Sequence, residues 1–192
     1  MKKLSMILLM LAAMTAATFA QEAKKQAPAP PKDSGHALSG LLNVVESEVV
    51  GAAEAMPDDK YDFRPTQGEF TDVRTFGDQF RHIGFTNYMF ASALTGQKNP
   101  LQDAGKENGP ALKTKAEIVK QLKDSFAALH KALETLNASN EMEMVDMFGR
   151  PWPKINIAAL ALGHPFDHYG QAVEYLRMNG IIPPASRPQP KK

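Results

Sequence analysis

Apolar residues recur along this chain at three- and four-residue steps, the spacing that lines one face of an α-helix. Between Gly35 and Met56 they fall at Leu38, Leu41, Leu42, Val45, Val49, Ala52, Ala53 and Met56. That predicts one amphipathic helix, stopped by Pro57, which cannot continue the hydrogen-bond ladder. A second helix is predicted from Thr71 to Thr95, with Val73, Phe76, Phe80, Ile83, Asn87, Phe90 and Leu94 as its main stripe. His82 lies on the flank of that stripe, together with Gln79 and Thr86. A third helix follows Thr114, which forms a capping-box pattern with Glu117. Its inward line is Ile118, Leu122, Phe126, Leu129, Leu133 and Leu136. The fourth is predicted from Lys154 to Met178, with Ile157, Leu160, Ala161, Ala172 and Tyr175 on its apolar line and Asn179-Gly180 as a stop signal. His164 and His168 fall on that same line and fill the gap in its middle.

Connections rich in Pro, Gly and Asn separate these helices. The last one, 137–153, holds the Met-rich stretch EMEMVDMFG and then Gly149, Pro151 and Pro153. No strand-like alternation is read, so the expected fold is all-α, a single four-helix bundle over 34–186. Residues 1–20 carry a lysine pair, an apolar run and small residues ending in Thr18-Phe19-Ala20. That is the order of a secretory signal peptide. The apolar run is well short of the ~20 residues a spanning helix needs. Cleavage after Ala20 and export to the periplasm or the extracellular space are therefore expected, with no stable membrane anchor left. The alternative is an uncleaved anchor helix. Residues 21–33, polar and proline-rich, read as a flexible linker, and 187–192 as a disordered tail.

Charge and composition narrow the chemistry. Losing Lys2 and Lys3 with the leader takes the basic residues from 22 to 20 against 21 acidic ones, a formal charge of about −1. No basic stripe suits a phosphate backbone, so nucleic acid is not an expected partner. The chain has no cysteine. This excludes disulfides, thiolate metal sites and a cysteine nucleophile. Histidines, carboxylates, hydroxyls or a bound metal remain.

His164 and His168 form an HxxxH pair, and residues four apart on a helix stack on one face. Two imidazoles so placed can grip one metal ion; they can equally be cleft histidines hydrogen-bonded to neighbours, and the spacing alone leaves both readings open. No Glu follows the first His, so this is not the HExxH protease pattern. No Glu in the chain has a His three residues later, which excludes the di-iron bundle motif. Pro165 inside the pair allows two readings, a helix that begins afresh near His164 or a helix that bends. His36, at a helix start, and His130, beside Lys131, are expected to face solvent. His82 is left as the one further candidate ligand; from the residues alone, a partly buried histidine packed among aromatics is the favoured reading.

The segments MPDDKYDFRPTQGEFTDVRTFGDQFRHI and HPFDHYGQAVEYLRMNGIIPPAS resemble the DinB-like (DNA-damage-inducible, DinB/YfiT) superfamily, from the first helix to Ser186. The resemblance implies a four-helix bundle holding a divalent metal on three histidines, one from the second helix and two from an HxxxH on the last. These map onto His82, His164 and His168. Zinc or nickel is expected before iron or copper. Some relatives are thiol S-transferases, some act on mycothiol-type adducts and many have no assigned activity. The resemblance thus implies a metal-dependent transferase or hydrolase of a small-molecule substrate, or a non-catalytic metal-binding bundle, and a homodimer. Around such a site Asp78, four residues before His82, is the first expected hydrogen-bond partner of a ligand imidazole, followed by Asp167 and Gln171. Tyr61 and Arg64 are expected at its entrance.

Overall fold

The computed structural model describes residues 29–103 and 110–188. The chain divides into two compact units, Met1–Pro31 and Lys32–Lys192, and the second carries the fold. The expected signal peptide and most of the linker lie outside the described residues.

Four helices form the second unit: α1 Ser34–Ala55, α2 Phe76–Thr95, α3 Lys115–Leu133 and α4 Lys154–Met178. The protein is an all-α four-helix bundle, as the apolar periodicity predicts. Each start has a local cause. Asp33, which the sequence reading placed in the linker, caps α1 by accepting from the His36 backbone N–H at 2.8 Å. Thr75 caps α2 through the Asp78 N–H. The second helix therefore begins five residues later than predicted, after Asp72, whose φ of 65° takes the backbone out of the helical region. Thr114 and Glu117 form the full capping box of α3, satisfying two end donors at once. The α4 helix begins at Lys154 and continues through Pro165. It does not begin afresh near His164; the proline simply has no N–H to give to Ala161.

Side-chain contacts fix the helix order. Gly35 packs on Leu133 and Leu136 at the far end of α3, and Ser39 meets His130, so α1 and α3 are antiparallel. Gly84 lies on Gln121 and Asn87 on Ser125, which makes α2 and α3 parallel. Gln79 meets Gln171 and Thr86 meets His164, so α2 and α4 are antiparallel. Around the bundle the order is α1, α3, α2, α4. Successive helices α1 and α2 sit on one diagonal, α3 and α4 on the other. This explains the long connections 56–75, 96–114 and 134–153: each must cross a diagonal or return the length of the bundle.

The core is the predicted set of stripes, led by Phe76, Phe80, Phe90, Phe126, Leu42, Ile83, Leu122 and Leu129. Leu41 is a departure, 51 % exposed although read as part of the α1 stripe. The connection 134–153 holds a second departure, a two-stranded antiparallel hairpin of β1 Met144–Met147 and β2 Arg150–Pro153. Its turn is Phe148-Gly149, both with positive φ (58° and 73°), the backbone of a tight hairpin turn that follows the strand twist. The Arg150 guanidinium covers the Trp152 ring at 4.7 Å.

His36 and His130 are not free in solvent. His36 Nδ1 pairs with Asp33 at 2.7 Å. His130, half-buried, has Nδ1 2.8 Å from Ser39 Oγ and Nε2 3.0 Å from Glu46 Oε2. It joins α3 to α1.

Candidate metal centre

On α2, residues 79, 82 and 86 form a line one step round from the buried stripe, and this line faces α4. Opposite them α4 presents His164 and His168 one turn apart. The structure brings His82, His164 and His168 together, with one nitrogen of each lying within 4.8 Å of the others. His164 Nε2 stands 3.2 Å from His82 Nε2 and 3.2 Å from His168 Nε2. An ideal tetrahedral site with metal–nitrogen bonds of ~2.1 Å separates its nitrogens by ~3.4 Å. The spacing fits one ion. His168 is buried and the other two rings are half-buried, so the cluster sits at the edge of the core.

The other ring nitrogens show how each imidazole is oriented, taking tautomers from the hydrogen-bond network. His168 Nδ1 is 2.6 Å from Gln79 Oε1, an acceptor only, so the ring carries its proton on Nδ1. The Gln79 amide is itself fixed, because its Nε2 donates to Gln171 Oε1 at 3.1 Å. Gln171 Nε2 in turn donates to Asp167 Oδ2 at 3.4 Å. His164 Nδ1 lies 3.3 Å from Thr86 Oγ1. The Thr86 hydroxyl spends its one proton on the backbone carbonyls of His82 and Ile83. It therefore accepts from His164 Nδ1–H.

Both α4 histidines consequently turn Nε2 lone pairs toward each other across 3.2 Å. Such a contact is unfavourable unless a cation stands between them. Burial is the first cause that lowers their pKa values, His164 to about 4 and His168 to about 3. Repulsion from the neighbouring histidines and Arg74 adds to it, and Asp167 opposes it at His164. The two rings are neutral at pH 7, the form that ligates a metal.

His82 differs. Arg74 Nη2 lies 3.4 Å from its Nδ1, and a guanidinium can only donate. Arg74 belongs to the segment before α2 that the sequence reading counted as helix.

Of the expected supporting residues, Asp78 does not reach His82. It pairs with Arg81 at 2.7 Å, at the helix N-terminus where an acid is favoured. Gln171 and Asp167 reach His168 only through Gln79, by the hydrogen bonds Gln79–Gln171 and Gln171–Asp167. Tyr61 lies in the core, donating to the Ala53 carbonyl at 2.6 Å and meeting Phe76 edge-on. Arg64 is exposed, and Arg74 takes the place near the site that was expected of it. The residues missed are thus Gln79, Thr86 and Arg74. The first two share the flank line of His82 and were legible by that criterion.

Residues 41–172 match the DinB superfamily, and no curated protein matches the sequence. Eleven solved chains match the structure, and the following three are among them. A DinB-like protein from Bacillus cereus ATCC 10987 has a TM-score of 0.60 at 19% identity, covering 76% of this chain and 94% of its own. A DinB-like protein from Bacillus subtilis has a TM-score of 0.59 at 19% identity, covering 75% and 92%. YfiT from Bacillus subtilis, described as a probable metal-dependent hydrolase with an unusual four-helix bundle topology, has a TM-score of 0.55 at 16% identity, covering 82% and 94%.

Proposed function

Because the chain belongs to the DinB superfamily, we propose that it is a metal-dependent enzyme in which His82, His164 and His168 hold one divalent ion. The observation that carries this is the pair of Nε2 lone pairs facing each other at 3.2 Å in His164 and His168. Zinc or nickel suits three neutral imidazoles best, with iron or copper next. Such an ion, when bound, supplies Lewis acidity and an open coordination position, the pattern of catalytic rather than structural sites.

The chain's own residues do the positioning. Gln79 and Thr86 hold the α4 rings by their Nδ1 protons. His82 closes the tripod from α2, so the site forms only when α2 and α4 are packed. His82 and His164 are half-buried, so the site lies at the edge of the core, and a small-molecule substrate is the class we assign to it. Hydrolysis or group transfer is the reaction class we assign. The likeness to a structure described as metal-dependent supports it, as does the absence of cysteine from the chain. The Lys2–Ala20 leader pattern supports an exported protein.

Metal analysis of protein purified without a metal-affinity resin tests the site. We expect about one divalent ion per chain at neutral pH, and loss of it in His164→Ala and His168→Ala. Wild-type protein free of metal, or unchanged metal content in His168→Ala, overturns the reading.

A further inference from the structure

Gln79 is 1 % exposed and, among the described residues, its amide is the group bonded to His168 Nδ1. An amide can be turned end for end, so on its own it would offer His168 either an acceptor or a donor. Here the direction is set from outside. Asp167 is a carboxylate and accepts only, so Gln171 must turn its Nε2 to it and its Oε1 to Gln79. Gln79 must then present Nε2 to Gln171 and Oε1 to His168.

We propose that Gln79, Gln171 and Asp167 form a positioning relay that locks His168 in its Nδ1–H tautomer while keeping negative charge away from the ring. This rests on the metal reading above. A carboxylate at position 79 would lock the ring by itself, with no need of two further residues. The chain uses a neutral amide and puts the one negative charge two hydrogen bonds away, on an exposed residue. A ligand imidazole bonded to a carboxylate becomes a stronger base and binds its ion more tightly. The neutral relay gives a correctly turned but weaker ligand, which leaves more positive charge on the ion for the open coordination position.

Two measurements test this on the full chain. Long-range proton–nitrogen NMR of the metal-free protein at pH 7.5 reads the His168 tautomer. Chelator competition reads zinc affinity in wild type, Gln79→Glu, Gln79→Leu, Gln171→Leu and Asp167→Ala. We expect the Nδ1–H tautomer in wild type. Gln79→Glu should bind zinc at least about 10-fold more tightly, and Gln79→Leu about 10- to 100-fold more weakly. Gln171→Leu and Asp167→Ala, both at exposed positions that the core does not need, should weaken binding by smaller factors and populate the second tautomer. An Nε2–H tautomer in wild type overturns the proposal, as does a Gln79→Glu protein that binds zinc no better than Gln79→Leu. Protein that binds no zinc yet shows the Nδ1–H tautomer, lost in Gln171→Leu, sinks the metal reading and supports the lock.

Discussion

The bundle holds two groups of histidine, and they are built on opposite rules. On the α1–α3 face His130 has both ring nitrogens occupied, by the Ser39 hydroxyl and the Glu46 carboxylate. Every polar atom of that ring has a protein partner, and the result is a link between two helices. On the α2–α4 face Thr86 and Gln79 hold the rings of His164 and His168 at Nδ1, and their Nε2 atoms lie 3.2 Å apart. Their Nε2 atoms converge with that of His82. Buried polar groups in proteins are normally paired. The facing lone pairs of His164 and His168 are therefore the feature on which the proposed metal site rests. One histidine face is closed by protein groups; the other carries the proposed site.

Substitution should separate the two faces most sharply. His168→Ala should reduce zinc affinity by at least about 100-fold, since one of three ligands and its Gln79 contact are both removed. His130→Ala should leave zinc affinity unchanged, and chelator competition measures both. A His130→Ala protein that also lost its metal would erase the contrast. Zinc itself gives the next largest effect. A ligand that binds only the folded state at 100 times its Kd stabilises it by about 2.7 kcal/mol. Urea denaturation with and without zinc should show this in wild type and not in His168→Ala. Loss of the His130 link should cost about 1–2 kcal/mol, because it removes a hydrogen bond to a carboxylate and leaves the Ser39 hydroxyl with Glu134 alone. That loss should appear equally with and without zinc.

Much of this contrast was legible in the sequence, and the gaps have physical causes. The apolar periodicity located all four helices, and the HxxxH line placed His164 and His168 on the inner face of α4. His82 was ambiguous, since a flank position on a helix with a wide apolar arc can point at either neighbour. Which neighbour it meets depends on the diagonal arrangement of α1 and α2, a property of tertiary packing that no local pattern encodes. Asp78, four residues before His82, lies on the same helix face. Arg81, three residues on, competes for it and wins by direct ion pairing. In a sequence Gln79 is a neutral amide like any other; what sets it apart is the fixed direction of its two hydrogen bonds. The hairpin escaped because its turn places Phe148 at positive φ, where Asn or Asp would have signalled it.

Acid should weaken the α2–α4 face first. The folded pKa values of His164 and His168 lie near 4 and 3, below the ordinary 6.5. Below pH 6.5 the unfolded chain takes up protons that the folded chain refuses. Stability of the metal-free protein should therefore be full above pH 6.5, fall as pH drops toward 4 and 3, and level off below that. The interval from pH 6.5 to 5 is the one to read, because few carboxylates titrate there. Urea midpoints measured in chelator should decline across it in wild type and stay flatter in a His164→Gln, His168→Gln double variant.

The smallest effect is the most diagnostic for His82. Arg74 holds a donor-only cation against Nδ1 of this ring, which favours the tautomer with its proton on Nε2, the atom that would bind metal. Loading the site requires that proton to move to Nδ1, against the guanidinium, and brings a second positive charge nearby. Arg74→Gln removes the charge and offers an amide oxygen that can accept from Nδ1–H. Zinc affinity should rise about 3- to 10-fold, with the gain shrinking as ionic strength increases, because the site is partly open to solvent. If Arg74→Gln instead weakens zinc binding, the guanidinium supports the tripod, and His82 is as firmly held for its task as His168.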